Sequence, residues 1–342
     1  MSRVRKPRYA FLVALLASLA VGCASAASAG DRTSAVPVAP ADQANSLQQR
    51  FVSSVRAVSL AVVQVRTSVA LGSGVVFDAR GDVVTNAHVV DNATRFVVTL
   101  ASGDSHPATL VGRDAGTDVA VIHVTGARPR SASFANSAQV EVGDLTLAIG
   151  NPLGLRSSVT DGIVSAIRQG VSEGNGVALP VMVQTSAAIN PGNSGGALAD
   201  IHGRVIGIPT LAATDPELGG TAAPGIGFAI PSNLVKDIAT QLIRHGHVVN
   251  SHRGYLGVQI GDTNGAGVLV QGVSAGGPAA KAGLVSGDVI TSINDHGTST
   301  IDDLISVLSE LKPQQTVTVK VVTQQGAHKT LHLTLGTFPG TG

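Results

Sequence analysis

The sequence predicts a mainly β protein of two units: a strand-rich unit with the organisation of a sandwich or barrel, followed by a smaller one. Short runs rich in Val, Ile and Leu alternate with turn residues, as in SGVVFD and DVVTNAHVV around the turn ARG. The chain has 342 residues and 41 glycines, which suits two cores and many tight turns. Aromatic residues make up only 3% of the chain, so β-branched and other aliphatic side chains carry the apolar surface.

The N-terminal 23 residues have the pattern of a secretory signal peptide. Four basic residues within the first eight precede an apolar run over residues 9–22, which is short for a transmembrane helix. Cys23, the only cysteine, follows this run as in a bacterial lipobox and is the candidate for lipidation. Cleavage after the small residues 24–26 is the alternative. Either way we expect export to the cell envelope without an intramolecular disulfide.

The first folded unit is expected over residues 49–246. Residues 24–48 precede it and predict a flexible linker, because they are rich in Ala, Ser, Pro, Asp and Gln. The unit closes with a predicted helix that Ser232 would cap and Gly246 would end. Its further strand candidates are RFVVTL, ATLVGR, VAVIHV, LTLAIG, GIVSAI, RVIGI and GIGFAI.

The second unit is expected over residues 254–337, between a linker at 247–253 and a tail at 338–342. Its clearest helix is TSTIDDLISVLSELK, which has acidic residues near its start and a proline directly after it. Its strand candidates are YLGVQI, GVLVQGV, DVITSIN, TVTVKVV and KTLHLTL. One face of the helix collects the apolar residues Ile301, Leu304, Ile305, Leu308 and Leu311.

Ser194, in INPGNSGGAL, is the candidate nucleophile. Its surroundings match G-x-S-x-G, a weak signal in a glycine-rich chain. His88 in TNAHVV and Asp118 in GTDVAVIHV strengthen it, because the order His, Asp, Ser is that of chymotrypsin-like proteases. An α/β-hydrolase would have the serine first and a helix after it, whereas here a strand, a turn and a strand follow.

The motifs GSGVVF, TNAHVV, TDVAV, IGNPLG, VTDGIVSA, QTSAAINPGNSGGAL and GFAIPS occur in the order of the high-temperature-requirement (HtrA) family of serine proteases. The sequence resembles that family over residues 50–337. The resemblance implies a chymotrypsin-like domain of two six-stranded β-barrels, followed by a PDZ domain, a partly open small barrel with helices.

The same resemblance implies catalytic roles for three residues, which agree with the need of a serine nucleophile for a nearby base. His88 would take the Ser194 proton and return it to the leaving amine, while Asp118 would orient His88 and stabilise the imidazolium. The backbone amides of Gly192, Asn193 and Ser194 would form the oxyanion hole.

The specificity pocket is expected to be apolar. Ala188 stands where trypsin-like enzymes have an acidic residue, and Ile189 matches the family's apolar pocket wall. Leu211 and Ala212 lie where the family places further pocket residues. We therefore expect cleavage after small or medium aliphatic residues such as Val, Ala or Leu.

Two positions depart from the family pattern near the cleft. Ser186 stands where Asp is usual, and Pro209 where Asn is common. Any support from that carboxylate is missing or replaced, and Pro209 lacks an N–H donor. Neither change touches the proposed triad.

In the second unit, Tyr255-Leu256-Gly257-Val258 resembles the carboxylate-binding loop of PDZ domains. A peptide C-terminus would be held by the loop amides and would add as a strand beside YLGVQI.

The sequence thus predicts an exported, ATP-independent serine endopeptidase that degrades misfolded or damaged envelope proteins. A regulatory site-specific protease and a chaperone-like peptide-binding scaffold are the alternatives. The resemblance implies a homotrimer, and a lipid on Cys23 is the only membrane attachment expected. A nucleic-acid partner is not expected, because the net charge is +1 without a basic run after residue 8. No cofactor or metal is predicted, and the sequence has no P-loop motif.

Overall fold

The computed structural model describes residues 41–151, 158–172, 178–190, 192–215, 221–263 and 265–338. The predicted signal peptide with Cys23 lies outside the described residues, as does the predicted tail from residue 339 onward. None of the helices described is both long and apolar enough to span a bilayer.

The first barrel consists of β1 (Val62–Thr67), β2 (Leu71–Val76), β3 (Asp82–Thr85), β4 (Phe96–Thr99), β5 (Ser105–Asp114) and β6 (Val119–Val124). These strands close in the antiparallel order β1-β2-β3-β6-β5-β4. Val63, Val83 and Ile122 fill its interior, as expected for strands rich in β-branched residues.

The second barrel consists of β7 (Leu145–Gly150), β8 (Ser158–Ser172), β9 (Ala178–Thr185), β10 (Ala197–Asp200), β11 (Val205–Asp215) and β12 (Thr221–Pro231). They close in the order β10-β11-β12-β9-β8-β7, which confirms the predicted double six-stranded barrel. One buried cluster contains Val62 and Val75 of the first barrel with Ile149 and Ile208 of the second. The barrels are therefore joined by a continuous apolar core.

A helix precedes the barrels where a linker was predicted. Helix α1 (Ala41–Ser59) covers the last part of the predicted linker over residues 24–48, so that boundary was wrong. Phe51, Val55 and Val58 pack α1 against the core shared by the barrels. Its first two turns are polar, and the apolar residues that hold it begin only after them.

Two short helical segments and α3 complete this part of the chain. Helix α2 (Ala87–Val90) follows β3, and a 3₁₀ turn spans Ser137–Gln139. Helix α3 (Ser232–His245) closes the unit and ends at Gly246, which has a φ of 76°. Ser232 is its first residue and not its cap: Pro231 occupies the cap position, and the Ser232 hydroxyl donates to the Ala135 carbonyl at 2.9 Å.

The second unit contains β13 (Gly254–Tyr255), β14 (Val258–Asp262), β15 (Val268–Val273), α4 (Pro278–Lys281), β16 (Val289–Ile293), β17 (His296–Gly297), α5 (Ile301–Glu310), β18 (Thr316–Val322), β19 (His328–Thr334) and β20 (Gly336–Thr337). The main sheet has the order β14-β15-β16-β18-β19, and β13 pairs with β20. This arrangement leaves one edge of β14 without a strand partner among the described residues. Helix α5 begins with a capping box formed by Thr300 and Asp303.

Candidate active site

His88 is the second residue of α2, the short helix that follows β3. Its backbone N–H donates to Asp118 Oδ1 at 3.0 Å, and its ring Nδ1 lies 2.9 Å from Asp118 Oδ2. The side chain is 51% exposed, whereas that of Asp118 is 4% exposed. The imidazole is thus anchored at Nδ1 by a buried carboxylate, while about half of the side chain is exposed to solvent.

Asp118 precedes β6 and has a φ of 52°, in the left-handed region that is costly for a residue with a Cβ. Two donors hold its carbonyl: the Ala87 N–H at 3.2 Å and the Asn86 side-chain amide at 3.1 Å. These bonds tie the strained residue to the segment that carries His88. The predicted pairing of His88 with Asp118 is therefore present in the structure.

Thr210 connects this pair to Ser194, and the sequence analysis missed it. The Thr210 hydroxyl donates to Asp118 Oδ2, while the Thr210 carbonyl accepts from the Ser194 hydroxyl at 3.1 Å. Thr210 is buried in β11, next to Pro209. In the sequence, only its place in the strand that also holds the predicted pocket residues Leu211 and Ala212 indicated a role at the site.

The loop before Ser194 offers two backbone amides and not three. The Asn193 N–H donates to the Asn190 carbonyl at 2.9 Å, so its assignment to the oxyanion hole was wrong. The N–H groups of Gly192 and Ser194 donate to no other described residue in this loop. Two neighbouring amides without an acceptor are the usual donors to a developing oxyanion.

Ile189 packs against Gly227 of β12, where an added Cβ would lie 2.4 Å from Ile189 Cγ1. Leu211 and Ala212 lie in β11 opposite Phe228 and Gly227, which places their backbone beside Ile189. The backbone of the predicted pocket residues Leu211 and Ala212 therefore lies near Ile189.

Ser186 and Pro209, the two positions that differ from the HtrA pattern, both form hydrogen bonds with backbone N–H groups. The Ser186 hydroxyl accepts from the Ile163 N–H at 3.0 Å and so pairs the segment after β9 with β8. Pro209 lies where the pairing of β11 with β12 shifts register. The Pro209 carbonyl accepts from the Gly195 N–H at 3.0 Å, so this position supports the Ser194 loop without an N–H of its own.

A groove of about 290 Å³ lies between β14 and α5 in the second unit. It begins at the predicted carboxylate loop, in which Gly257 has a φ of 79°. Its lining includes Leu256, Val258, Ile260, Leu304, Ile305 and Leu308. The groove suits an extended peptide with an apolar terminal side chain.

Arg253 links this groove to the turn before Asp118. Its guanidinium donates to the Gly116 carbonyl at 3.0 Å and lies 5.3 Å from the centre of the Phe338 ring. Burial lowers the pKa of Arg253, and the Asp114 carboxylate offsets part of that effect.

Comparisons with known proteins agree with this architecture. A sequence profile described as a trypsin-like peptidase domain matches residues 72–208, and a PDZ domain profile matches residues 254–335. The serine endoprotease DegS of Haemophilus influenzae is 38% identical over 257 residues, covering 74% of this chain and 73% of that protein. The periplasmic serine endoprotease DegP of Escherichia coli K12 is 45% identical over 236 residues, covering 66% of this chain. The chain spans only 48% of the length of DegP.

Solved structures show the same two-unit fold. The HtrA-type protease AlgW with a tripeptide superimposes with a TM-score of 0.61 at 35% identity, covering 85% of this chain and 98% of that one. The serine endoprotease from Yersinia pestis gives a TM-score of 0.59 at 34% identity, covering 84% and 98%.

Proposed function

Because this chain belongs to the HtrA family of trypsin-like serine proteases with a PDZ domain, we propose that it is a serine endopeptidase that uses Ser194 as its nucleophile. One observation carries the proposal. Asp118 holds His88 from one side and is held by Thr210 from the other, while the Thr210 carbonyl binds the Ser194 hydroxyl.

In the proposed reaction the Ser194 hydroxyl turns from the Thr210 carbonyl toward His88, which removes its proton as Oγ attacks the peptide carbonyl. The buried Asp118 stabilises the resulting imidazolium and keeps Nδ1 protonated. The amides of Gly192 and Ser194 stabilise the negative oxygen of the tetrahedral intermediate. His88 then gives its proton to the leaving amine, and water hydrolyses the acyl-enzyme by the reverse sequence of proton transfers.

We expect small or medium aliphatic side chains before the cleaved bond. Ile189 and Gly227 supply an apolar boundary, and Ala188 carries no charge that would recruit Lys or Arg. Profiling with a peptide library measures this preference, and a dominant cleavage after Arg or Lys would refute it.

The PDZ groove would recruit protein C-termini or regulate the protease. Its apolar lining and the free edge of β14 support this role. The substrates would be misfolded or damaged envelope proteins, because the DegP relatives are named periplasmic and the sequence begins with a signal-like segment. Hydrolysis would not need ATP.

Assembly as a homotrimer and lipidation of Cys23 remain proposals from the family resemblance and the lipobox-like sequence. Light scattering of the protein without residues 1–30 tests the trimer, and a monomer mass would refute it. Mass analysis of the mature N-terminus, with and without globomycin, tests the lipid. An unmodified start after residue 26 would refute lipidation.

The proposed activity is tested with Ser194→Ala. The wild type should cleave β-casein and react with a fluorophosphonate probe, and the variant should do neither, because the nucleophilic oxygen is absent. A thermal unfolding curve shows that the variant is folded. Equal cleavage by both proteins would exclude Ser194 as nucleophile, and no cleavage by either would favour a peptide-binding scaffold.

A further inference from the structure

Ser73 is a fully buried residue of β2 whose polar atoms reach the Ser194 loop from the first barrel. Its hydroxyl donates to the Gly192 carbonyl at 2.5 Å, and its N–H donates to the Ser194 carbonyl at 2.9 Å. The same hydroxyl accepts from the Asn151 N–H at 2.8 Å. Ser73 therefore holds the loop on both sides of Asn193 and ties it to the end of β7.

Of these hydrogen bonds, the one to the Gly192 carbonyl bears most directly on the geometry of the Ser194 loop. Gly192 has a φ of 104°, in a region that glycine favours. Because glycine has no Cβ, its own conformation restrains the orientation of the following peptide only weakly. The direction of this carbonyl fixes the direction of the Asn193 N–H in the same planar peptide, which donates to the Asn190 carbonyl. Rotation of this peptide would therefore disturb the amides of Gly192 and Ser194 on either side.

Ser73 also reaches the segment that carries His88. Its carbonyl accepts from the hydroxyl of Thr85 at 2.7 Å, and Thr85 is buried at the end of β3, three residues before His88. One residue thus connects the segment of the base with the loop of the nucleophile.

We infer that Ser73 is a positioning residue whose hydroxyl orients the Gly192–Asn193 peptide and thereby the two amides that bind the oxyanion. The inference rests on the proposed function. It assigns no contact with the substrate to Ser73, because the side chain is buried. Its effect should consequently appear in the stabilisation of the tetrahedral intermediate and not in ground-state binding.

The test compares the wild type with Ser73→Ala on a fluorogenic peptide that has Val before the cleaved bond. The kcat of Ser73→Ala should fall by roughly 10- to 100-fold, because small misplacements of oxyanion donors have effects of this order. KM should change less than about twofold. A peptide boronic acid, whose boron is attacked by the Ser194 oxygen to give a tetrahedral adduct, should bind more weakly by the same factor as kcat falls.

Ser232→Ala is the matched control, because it removes another fully buried hydroxyl that donates to a backbone carbonyl, away from Ser194. It should lose thermal stability but keep its kcat and its affinity for the boronic acid. If Ser73→Ala does not fold, Ser73→Cys replaces it, since a thiol is a weaker donor and should give the same kind of change.

A kcat of the folded Ser73 variant within about twofold of wild type, or an equal loss in Ser232→Ala, would overturn the inference. A change confined to KM would also overturn it. A wild type that neither hydrolyses the peptide nor reacts with fluorophosphonate would instead refute the proposed function.

Discussion

Gly195→Ala tests how tightly the Ser194 loop is packed against the first barrel. An added Cβ would lie 2.2 Å from the Ser73 carbonyl oxygen and 2.5 Å from Thr85 Oγ1. Ordinary contact begins near 3.4 Å, so the loop and β2 would have to separate by about 1 Å. The carbonyl belongs to a buried strand and cannot swing away as a flexible side chain could. A displacement of this size should reduce kcat/KM by about 100-fold or more.

Gly203→Ala provides the control for backbone strain. Gly195 has a φ of 78° and Gly203 a φ of 75°, so both alanine variants incur the left-handed cost of about 1–2 kcal/mol. The nearest atom to a Cβ at Gly203 is 3.6 Å away, so this variant adds no clash. Its thermal midpoint should fall by roughly 2–8 °C while its activity persists.

Gly195→Ala should lose more stability than Gly203→Ala, because overpacking adds about 1–3 kcal/mol. The assays are the rate of fluorophosphonate labelling, kcat/KM on a peptide substrate and unfolding followed by circular dichroism. Equal labelling rates for the two variants would refute the packing argument.

Two further predictions concern Asp118 and the PDZ groove. Thr210→Val removes the hydroxyl that donates to Asp118, and kcat/KM should fall roughly 10- to 100-fold because a hydrogen bond to a charged group contributes about 1.5–3 kcal/mol. Thr210→Ser keeps the donor and should stay near wild type, and equal rates for the two variants would contradict this role. Ile305→Asp places a carboxylate in the apolar groove, so fluorescence anisotropy should show at least about tenfold weaker binding of a hydrophobic C-terminal peptide. Val285→Asp, at a 56% exposed position, should bind normally, and equal affinities of the two variants would count against the groove.

The order of three motifs predicted the pairing of His88 with Asp118, and the resemblance to the HtrA family implied the two barrels and the PDZ unit. The strand pattern alone indicated only a sandwich or barrel. The sequence could not predict Thr210 or Ser73. The hydroxyl of Thr210 meets a residue 92 positions away, and that of Ser73 meets one 119 positions away. Such contacts arise from the packing of the barrels and leave no local periodicity.

Two of the three errors, the linker boundary and the Asn193 donor, have local causes. The polar residues that open α1 resemble a linker, and only the later packing of Phe51 and Val55 on the core makes the helix stable. Asn193 was counted as an oxyanion donor because of its place between Gly192 and Ser194. Its conformation in the turn directs its N–H to Asn190 instead.

The division of the site between two barrels has a consequence for when the protein can become active. His88 and Asp118 are translated more than seventy residues before Ser194, so a nascent or truncated chain with only the first barrel lacks the proposed nucleophile. A molecule whose barrels have come apart loses the bonds from Ser73 and Thr210 at the same moment. Under the proposed function, hydrolysis therefore begins only after the whole protease unit has been made and folded. A damaged copy whose barrels separate loses its activity before it can cleave neighbouring proteins.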